Sequence, residues 1–501
     1  VVAFGNSFTT AGNSDNTIQN CDLSDGLTTP NNMIYSNNAT LNAFNARNTI
    51  NNNTISDFFS PTLASNGVLI NTAGNRDWTI TNNSFYQSAN RTSTAAVSHS
   101  YININSAAGY GYTVNGNFLG GTAPLAAGGP ATYLGAVAST MKVILVSVGV
   151  GPTTTINNNT IRNFNFSTTS SATVGPGIWT GINILGVGNF DVSNNTIGST
   201  AANGSIVTST TVSGGSTTGF TSTCSGNINI TGNNIGGITA NSSTNLISTS
   251  VIGMYMTAGR NMVTNNTIGS ISSADNIINS LNTSATAGLV NGIWSTSAHT
   301  SSFTGNTISN LTSQYSGAAT TAQVRGITTT SGLNTISQNI ISNLKTSAPN
   351  ASVDLNASVI GISHSSTTVG LAQNISNNII SNLSNITPTA AVNLTGIYFT
   401  GSATTFNHTI SRNKISNIGS TSSGLAVISG MNILGGTSTY SNNMIALGLD
   451  NLGAPYVNGH EYNGIKKNGA VANNFYFNSV NITGANVVAG VAGNTAAFRR
   501  T

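Results

Sequence analysis

The chain has 501 residues with 14 basic and 10 acidic side chains, so only 5% of the residues are charged and the formal net charge is +4. Ordinary soluble domains have about 25% charged residues. Because 38% of the residues are hydrophobic and the net charge is low, an intrinsically disordered chain is excluded. The scattered basic residues form no cluster of the kind that binds nucleic acid. The most apolar run, residues 143–150, is shorter than the ~20 residues of a membrane-spanning helix.

A short repeated sequence, Asn-Thr-Ile or Asn-Ile-Ile, begins at Asn53 and recurs along the chain at intervals of roughly 35 residues. The last residue of this triplet, called the anchor here, is Ile55 in the first clear copy. A second apolar residue lies five positions before most anchors, as Ile50 does, and a third often lies three positions later, as Phe58 does. A glycine followed by an apolar residue precedes most copies. Further copies begin at Asn159, Asn195, Asn266, Asn306, Asn339 and Asn378.

These spacings predict short strands separated by tight bends. Same-face residues of one straight strand are even-numbered neighbours, so offsets of five and three need bends between strands, and Asn and Gly tolerate the left-handed backbone of a bend. We therefore expect an all-β, right-handed parallel β-helix of about 14 coils of roughly 35 residues, with internal Asn and Ile ladders. Residues 1–501 are expected to form a single domain that continues beyond one or both ends. Open ends of such a helix would join neighbouring domains or other copies.

The asparagine two positions before each anchor forms a column that we expect to be structural. An inward amide donates and accepts hydrogen bonds along a stack, so a continuous ladder gives every buried amide a partner, whereas an unpartnered one would be costly. Gly116 and Cys21 interrupt this column. The predicted ladder consists of Asn53, Asn83, Asn159, Asn195, Asn233, Asn266, Asn306, Asn339, Asn378, Asn413, Asn443 and Asn474.

A second polar column lies two positions after the anchors, where Asp25 and Asp57 precede a series of asparagines. If these two carboxylates stand on adjacent coils, they are about 4.8 Å apart, and like charges at this distance share a cation or shift a pKa. Calcium would suit such an oxygen-rich site. The alternative is that both carboxylates point into solvent. No other cofactor is expected, and the five histidines, which lack metal-ligand spacing, are expected at the surface.

Two stretches carry a family resemblance: Ile-Ser-Asn-Asn-Ile-Ile-Ser-Asn-Leu at 375–383 and its variant at 410–418. Coils of this form resemble the large secreted β-helix-repeat proteins of Bacteroidetes-type bacteria, and the resemblance covers most of the chain. It implies export through the type IX secretion system and a location at the cell surface or outside the cell, with secretion or cell-surface machinery as partners. Such export depends on a C-terminal sorting domain. The chain ends at Thr501 without one, so we expect it to be part of a longer polypeptide.

The favoured function is an extracellular structural or adhesive segment. A polysaccharide-degrading, pectate-lyase-like enzyme is an alternative, because many right-handed β-helices act on polysaccharides. Hydrolysis needs paired acids, and the acidic residues after Asp77 are few and far apart, so no catalytic residue is predicted.

Two further alternatives depend on outward side chains. Tyr255 and Trp294 follow the coil glycines and would form a sugar-stacking platform on neighbouring coils, unless they pack beneath an inserted loop. An ice-binding face would need a regular threonine array. The column that begins with Thr54 and Thr160 fails at Ile340.

Overall fold

The computed structural model describes the chain except for residues 6–11, 26–29, 174, 200–201, 213, 243–248, 271–278, 283–287, 316–320, 404–406, 470 and 484–494. The chain divides into two compact units, the first comprising Val1–Ser243 and Tyr255–Met262 and the second Thr244–Met254 and Val263–Thr501. Each unit is a stack of β-helical turns, and the chain has about 13 turns altogether. The predicted all-β parallel β-helix is confirmed, with slightly fewer turns than expected. The single-domain organisation stays a prediction.

Each turn contributes strands to three parallel sheets, named first, second and third in the order in which the chain enters them. The first unit has these strands in its first sheet: Val2–Phe4, Asn32–Asn37, Asn66–Asn71, Ser98–Ser106, Thr140–Val148, Trp179–Gly186 and Ser216–Ser222. Its second sheet contains Thr17–Gln19, Thr49–Asn51, Thr79–Thr81, Thr113–Asn115, Thr154–Asn157, Phe190–Ser193 and Asn227–Thr231.

The third sheet of the first unit contains one short strand per turn and, in five turns, a second strand after a bend. The short strands are Asp22–Leu23, Thr54–Ser56, Ser84–Tyr86, Phe118–Leu119, Thr160–Ile161, Thr196–Gly198 and Asn234–Gly236. The second strands are Arg91–Ser93, Ala131–Gly135, Phe164–Thr168, Ile206–Thr210 and Ile238–Ser242. A small additional pair joins Asn45–Ala46 to Asn75–Arg76.

The second unit repeats this plan. Its first sheet contains Leu289–Ser295, Gln323–Thr329, Val359–His364, Val392–Thr400, Ala426–Gly435, Glu461–Lys467 and Ala496–Arg500. Its second sheet contains Ser301–Thr304, Asn334–Ser337, Asn374–Ser376, His408–Ser411, Ser438–Ser441 and Asn473–Tyr476. Its third sheet contains Thr267–Gly269, Asn279–Asn282, Thr307–Tyr315, Ile340–Thr346, Ile379–Asn385, Lys414–Ser420, Met444–Leu447 and Ser479–Ile482. The division into units changes within two strands, Ser250–Met256 and Arg260–Thr264.

The anchors stack in register in the interior of each unit. In the first unit Ile55 lies opposite Leu23 on one side and Phe85 on the other. In the second unit Ile380 lies between Ile341 and Ile415. The anchors Ile55, Phe85, Ile341, Ile380 and Ile415 are all completely buried. Full burial of an isoleucine or phenylalanine side chain stabilises a fold by about 1.5–3 kcal/mol, so these columns supply much of the driving force for stacking.

A two-residue bend joins the second sheet to the third in every turn, as at Asn52 and Asn53. The first residue of this bend has a positive φ, +54° at Asn52 and +56° at Asn82, which Asn and Gly tolerate better than other residues. The second residue is the ladder asparagine, except in the first turn, where it is Cys21. The doublet Asn-Asn in the sequence is therefore explained by two different requirements: backbone conformation at the first position and hydrogen bonding at the second.

The second polar column of the sequence marks another left-handed bend, which follows the short third-sheet strand in the first unit and lies within the longer third-sheet strands of the second unit. Asp57, Asn163 and Asn310 have φ values of +61°, +59° and +57°. Asn343, Asn382 and Asn417 repeat this conformation in later turns. The column thus allows the chain to bend within the third sheet.

The coil glycines allow the first sheet to approach the anchors closely. A Cβ atom added to Gly361 would lie 2.6 Å from the Gly396 carbonyl oxygen and 2.6 Å from Cγ2 of Ile380. No side chain fits at this distance without a shift of the backbone.

Helical structure in the described part of the chain is limited to one 3₁₀ turn at Asp354–Asn356. In the same residues no helix reaches the length and apolar character that crossing a lipid bilayer requires.

Candidate functional site

The asparagine ladder is the most regular polar feature in the interior of the first unit. The backbone N–H and the Nδ2 atom of Asn83 each donate to Oδ1 of Asn117, at 3.0 Å in both cases. Nδ2 of Asn83 also donates to the Ile50 carbonyl oxygen at 2.9 Å, and Oδ1 of Asn83 accepts from Asn53 of the preceding turn. Each amide is thus bonded on both sides. The rungs here are Asn53, Asn83, Asn117, Asn159, Asn195 and Asn233.

The second unit has the same ladder, and the expected internal Asn ladder is confirmed. Its rungs are Asn266, Asn306, Asn339, Asn378, Asn413, Asn443 and Asn478. All of these except Asn478 are buried. The ladder holds every tight bend in one conformation, because its amides bind the backbone N–H and C=O groups that the bends leave unpaired.

Two details of the predicted ladder are wrong. The interruption at Gly116 does not exist, because the anchor of that turn is Leu119, which pairs with Phe85, and Asn117 provides the rung. Asn474 is exposed and lies opposite Thr439 in the second sheet. The anchor of that last turn is Val480, opposite Ile445; its rung, Asn478, therefore replaces Asn474.

The predicted calcium pair has a different environment from the one the sequence suggested. Register places Leu23 opposite Ile55, so Asp25 and Asp57 each follow paired anchors of adjacent turns by two residues. The Asp57 carboxylate accepts hydrogen bonds from the Ser88 backbone N–H at 2.8 Å and from the Ser88 hydroxyl at 2.7 Å. It also forms an ion pair with Arg91, in which both side chains are largely buried.

These contacts supply Asp57 with a positive partner from within the chain, which is the role that a cation would have. Among the described residues, no group of three or more His, Cys, Asp or Glu side chains is arranged to hold a metal ion. Calcium binding at Asp25 and Asp57 stays a prediction.

The two aromatic residues predicted to bind glycans have different degrees of exposure. Tyr255, in the first unit, is only 8% exposed, and the backbone at Gly175 packs against its ring, where an added Cβ would lie 2.8 Å from Cε1. A stacking platform requires an open ring face, which Tyr255 does not offer. Trp294, in the second unit, is partly buried and lies opposite Thr328 in the first sheet.

Four histidines are buried, contrary to the expectation that all five lie at the surface: His99, His364, His408 and His460. His408 connects two backbone groups, since its Nδ1 accepts from the Gln373 N–H at 3.0 Å and its Nε2 lies 3.1 Å from the Ser402 carbonyl oxygen. His460 has the same arrangement, with Nδ1 3.3 Å from the Ala426 nitrogen and Nε2 3.0 Å from the Ser420 carbonyl oxygen.

Both of these arrangements require the neutral imidazole, because Nδ1 must accept a hydrogen bond. Burial lowers the pKa of His408 and of His460. Burial also lowers the pKa of His364 to about 3 and that of His99 to about 4. One sequence signal could have indicated that His408 is buried. His408 begins a second-sheet strand at the place where the preceding turn has Gln373.

A shallow open groove of about 480 Å³ lies on the outer face of the second sheet in the second unit. Hydroxyl and amide side chains line most of it, including Asn374, Ser376, Thr409, Ser411 and Ser441. Arg412 and Asn442, both first residues of tight bends, lie at its border. The sequence did not predict this groove, because the outward residues it singled out, Tyr255, Trp294 and the threonines that begin with Thr54, lie elsewhere.

Comparison of the chain with protein-family models, curated protein sequences and solved structures finds no significant match.

Proposed function

We propose that the chain is a structural and adhesive segment of a secreted or cell-surface protein, exported by a type IX-like route. The observation that carries the proposal is the uniform two-residue bend between the second and third sheets. Because no turn in the described part of the chain has an insertion there, each unit presents a continuous outer face formed by its second sheet, the bends and the adjoining strands of its third sheet. Such a face suits contact with an extended partner.

The interior supports a structural role. Each turn is bonded to its neighbours through the same amide ladder and the same stacked anchors, so stability is distributed over many similar interfaces. Only 14 lysine or arginine residues occur in 501, so proteases specific for basic residues have few sites. A chain with 5% charged residues is also expected to respond weakly to salt. These properties suit a protein exposed outside the cell.

A glycan-binding module is the second candidate, and the groove beside Arg412 favours it. Polar side chains that repeat along a groove suit a polymer of repeating sugar units, since each turn offers the same donors and acceptors. A pectate-lyase-like enzyme is the remaining alternative, and an assay for cleavage of polysaccharides tests it. Among the described residues, four acids form ion pairs with arginines: Asp15, Asp57, Asp77 and Glu461.

The proposed function is tested on the native protein in its source cells. We expect an antibody against the chain to label intact cells and surface protease to remove the label. Deletion of the gene should reduce attachment to surfaces. Label confined to the cell interior would overturn the proposal, and release of sugar products from polysaccharides by the purified chain would favour the enzyme.

A further inference from the structure

We propose that the groove on the second sheet of the second unit binds an acidic polysaccharide, with Arg412 holding a carboxylate or sulfate group of the glycan. The choice of a polysaccharide as the partner rests on the proposed surface function. The anion site itself rests only on the geometry and charge described below.

Arg412 has a backbone conformation that arginine rarely adopts. It occupies the first position of the tight bend with φ +55°, where neighbouring turns have Asn377 at +57° and Asn442 at +55°. A left-handed conformation costs an ordinary residue roughly 1–2 kcal/mol, whereas asparagine offsets part of this cost by local hydrogen bonding. Gln338 and Phe477 hold the same bend position with φ +58° and +52° in other turns, so Arg412 is set apart by its charge and by its place at the border of the groove.

The positive charge of Arg412 is not neutralised within the described part of the chain. Of the residues that the structure describes, no carboxylate lies within ion-pair distance of Arg412 or of Lys414, two residues further on. Both side chains are exposed. Lys414 lies on the outward column of the third sheet, opposite Ile379 and Met444. Of these two cations, Arg412 lies at the border of the groove, whereas Lys414 lies on the adjoining third sheet.

The acidic residues described in the second unit have partners elsewhere. Asp354 accepts a hydrogen bond from Asn432 of the first sheet at 2.9 Å. Glu461 pairs with Arg499, also in the first sheet. Asp450 accepts from backbone N–H groups of its own loop, that of Leu452 at 2.9 Å among them. An anionic ligand on the groove therefore meets cations and neutral polar groups.

The groove offers sugar hydroxyls a repeating set of partners. Ser411 and Ser441 are partly exposed and lie in register on successive turns, which spaces their hydroxyl groups about 4.8 Å apart along the stack. Ser376 precedes them in the same row but is buried. Thr409 and Asn374 form a parallel row opposite each other. A guanidinium group binds a carboxylate or sulfate through two parallel hydrogen bonds, which fixes the orientation of the charged sugar.

The row of serines ends in an aromatic residue. Tyr476 lies opposite Ser441 on the next turn and is 51% exposed. Tyrosine rings provide an apolar face with a polar edge, which suits the C–H face of a sugar ring. The site therefore combines a charge clamp, a row of hydroxyl groups and a stacking surface along one direction.

The test measures binding of the full chain to polygalacturonate, heparin and neutral dextran by titration calorimetry at low and high salt. We expect the wild type to bind at least one of the two polyanions, more weakly at high salt, and to bind dextran at least tenfold more weakly. The variant Arg412→Asn should lose at least tenfold in affinity for the bound polyanion. Because asparagine is the usual residue of this bend, its melting temperature should equal or exceed that of the wild type. Arg260→Asn, which removes an exposed arginine outside the groove, should bind like the wild type.

The outcomes distinguish a carboxylate from a sulfate as the bound anion, and they include two results that would overturn the proposal. Binding of polygalacturonate alone assigns a carboxylate to Arg412, and binding of heparin alone assigns a sulfate. Equal affinity of the wild type and Arg412→Asn would overturn the proposal, as would a folded wild type that binds neither polyanion. Surface labelling of intact cells is independent of these titrations, so the surface function could stand while the glycan site fails.

Discussion

Nδ2 of Asn378 lies 2.9 Å from Oδ1 of Asn413 on the next turn, and the backbone N–H of Asn378 donates to the same oxygen at 3.1 Å. One carbonyl oxygen thus accepts both a side-chain and a backbone hydrogen bond. Nδ2 of Asn378 also donates to the Ile336 carbonyl oxygen at 2.9 Å. Each rung therefore couples its own bend to the bends before and after it.

The variant Asn378→Ala is expected to destabilise the chain by about 2–6 kcal/mol. Loss of the amide leaves the Asn339 N–H and the Ile336 carbonyl buried without their partners, and each unsatisfied buried group costs about 1–3 kcal/mol. Urea unfolding followed by far-ultraviolet circular dichroism measures the loss.

Asn377→Gly is the matched control, because Asn377 is the exposed first residue of the same bend with φ +57°. Glycine adopts this conformation without strain, so the control should change stability by less than about 1 kcal/mol. An equal loss in both variants would contradict the ladder as the source of stability and would point to the bend conformation.

Close packing at Gly361 predicts that Gly361→Ala is severely destabilising. The new methyl group would meet the Gly396 carbonyl oxygen and Cγ2 of Ile380, each at 2.6 Å. The backbone would have to shift, which costs about 3 kcal/mol.

Gly129→Ala is the control for this substitution. The nearest atom to the added methyl group is Oγ1 of Thr122, at 3.8 Å. The methyl group therefore meets no clash, and the smaller conformational freedom of alanine in the unfolded chain should stabilise the fold by about 0.4–1 kcal/mol. Thermal melts of both variants measure the contrast, and a tolerated Gly361→Ala would contradict the packing described here.

The ion pair of Asp57 and Arg91 predicts a structural rather than a metal-dependent role for this carboxylate. Asp57→Asn keeps the left-handed backbone accessible but leaves Arg91 largely buried without its counter-charge, which costs about 3–5 kcal/mol. Asp15→Asn is the matched control, since Asp15 also has a positive φ of +63° and its pair with Arg47 is exposed. Exposed pairs contribute little, so this control should melt like the wild type.

Calcium and chelator distinguish the two roles of Asp57 directly. If Arg91 supplies the positive charge, neither calcium nor EDTA should move the melting temperature of the wild type. A rise in melting temperature with calcium that disappears in Asp57→Asn would show that the pair with Asp25 binds the metal.

The periodicity of apolar and Asn residues was sufficient to predict the fold, because each turn repeats the same contacts. Register at the least regular turns was harder to predict. Two apolar residues stand side by side at Phe118 and Leu119, and only the pairing of Leu119 with Phe85 decides which one is inward. At the last turn, Tyr476 fits the pattern of an anchor as a large apolar residue, but Val480 holds that place.

The candidate groove was not predictable from the same pattern. Ladder and anchor rules describe residues that point inward, and the groove is formed by the residues between them. Arg412 became notable only when its positive φ and its place beside Ser376 and Ser411 were known. The burial of His408 was not predictable from the pattern either. An imidazole there takes the place that Gln373 has in the preceding turn, so the two residue types do not form a recognisable column.

Buried neutral histidines predict that the fold loses stability in acid. Burial lowers the pKa of His364 to about 3 and also lowers that of His408, whereas an unfolded histidine has a pKa of about 6.5. The unfolded chain therefore binds protons first as the pH falls. The stability that these side chains contribute is complete above about pH 6.5 and is lost progressively below it, toward the folded pKa values.

His408→Gln tests this mechanism with little change in structure. In the preceding turn Gln373 already performs the same task, since its Oε1 accepts from the Asn334 N–H at 2.7 Å and its Nε2 donates to the Gly332 carbonyl oxygen at 3.1 Å. The variant should match the wild type in urea unfolding at pH 7.5 and should lower the midpoint of acid unfolding by about half a pH unit. His299→Gln, at an exposed histidine, should leave that midpoint unchanged. An unchanged midpoint for His408→Gln as well would mean that other groups, such as His364, control the acid transition, because only a group whose pKa differs between the folded and unfolded states makes stability depend on pH.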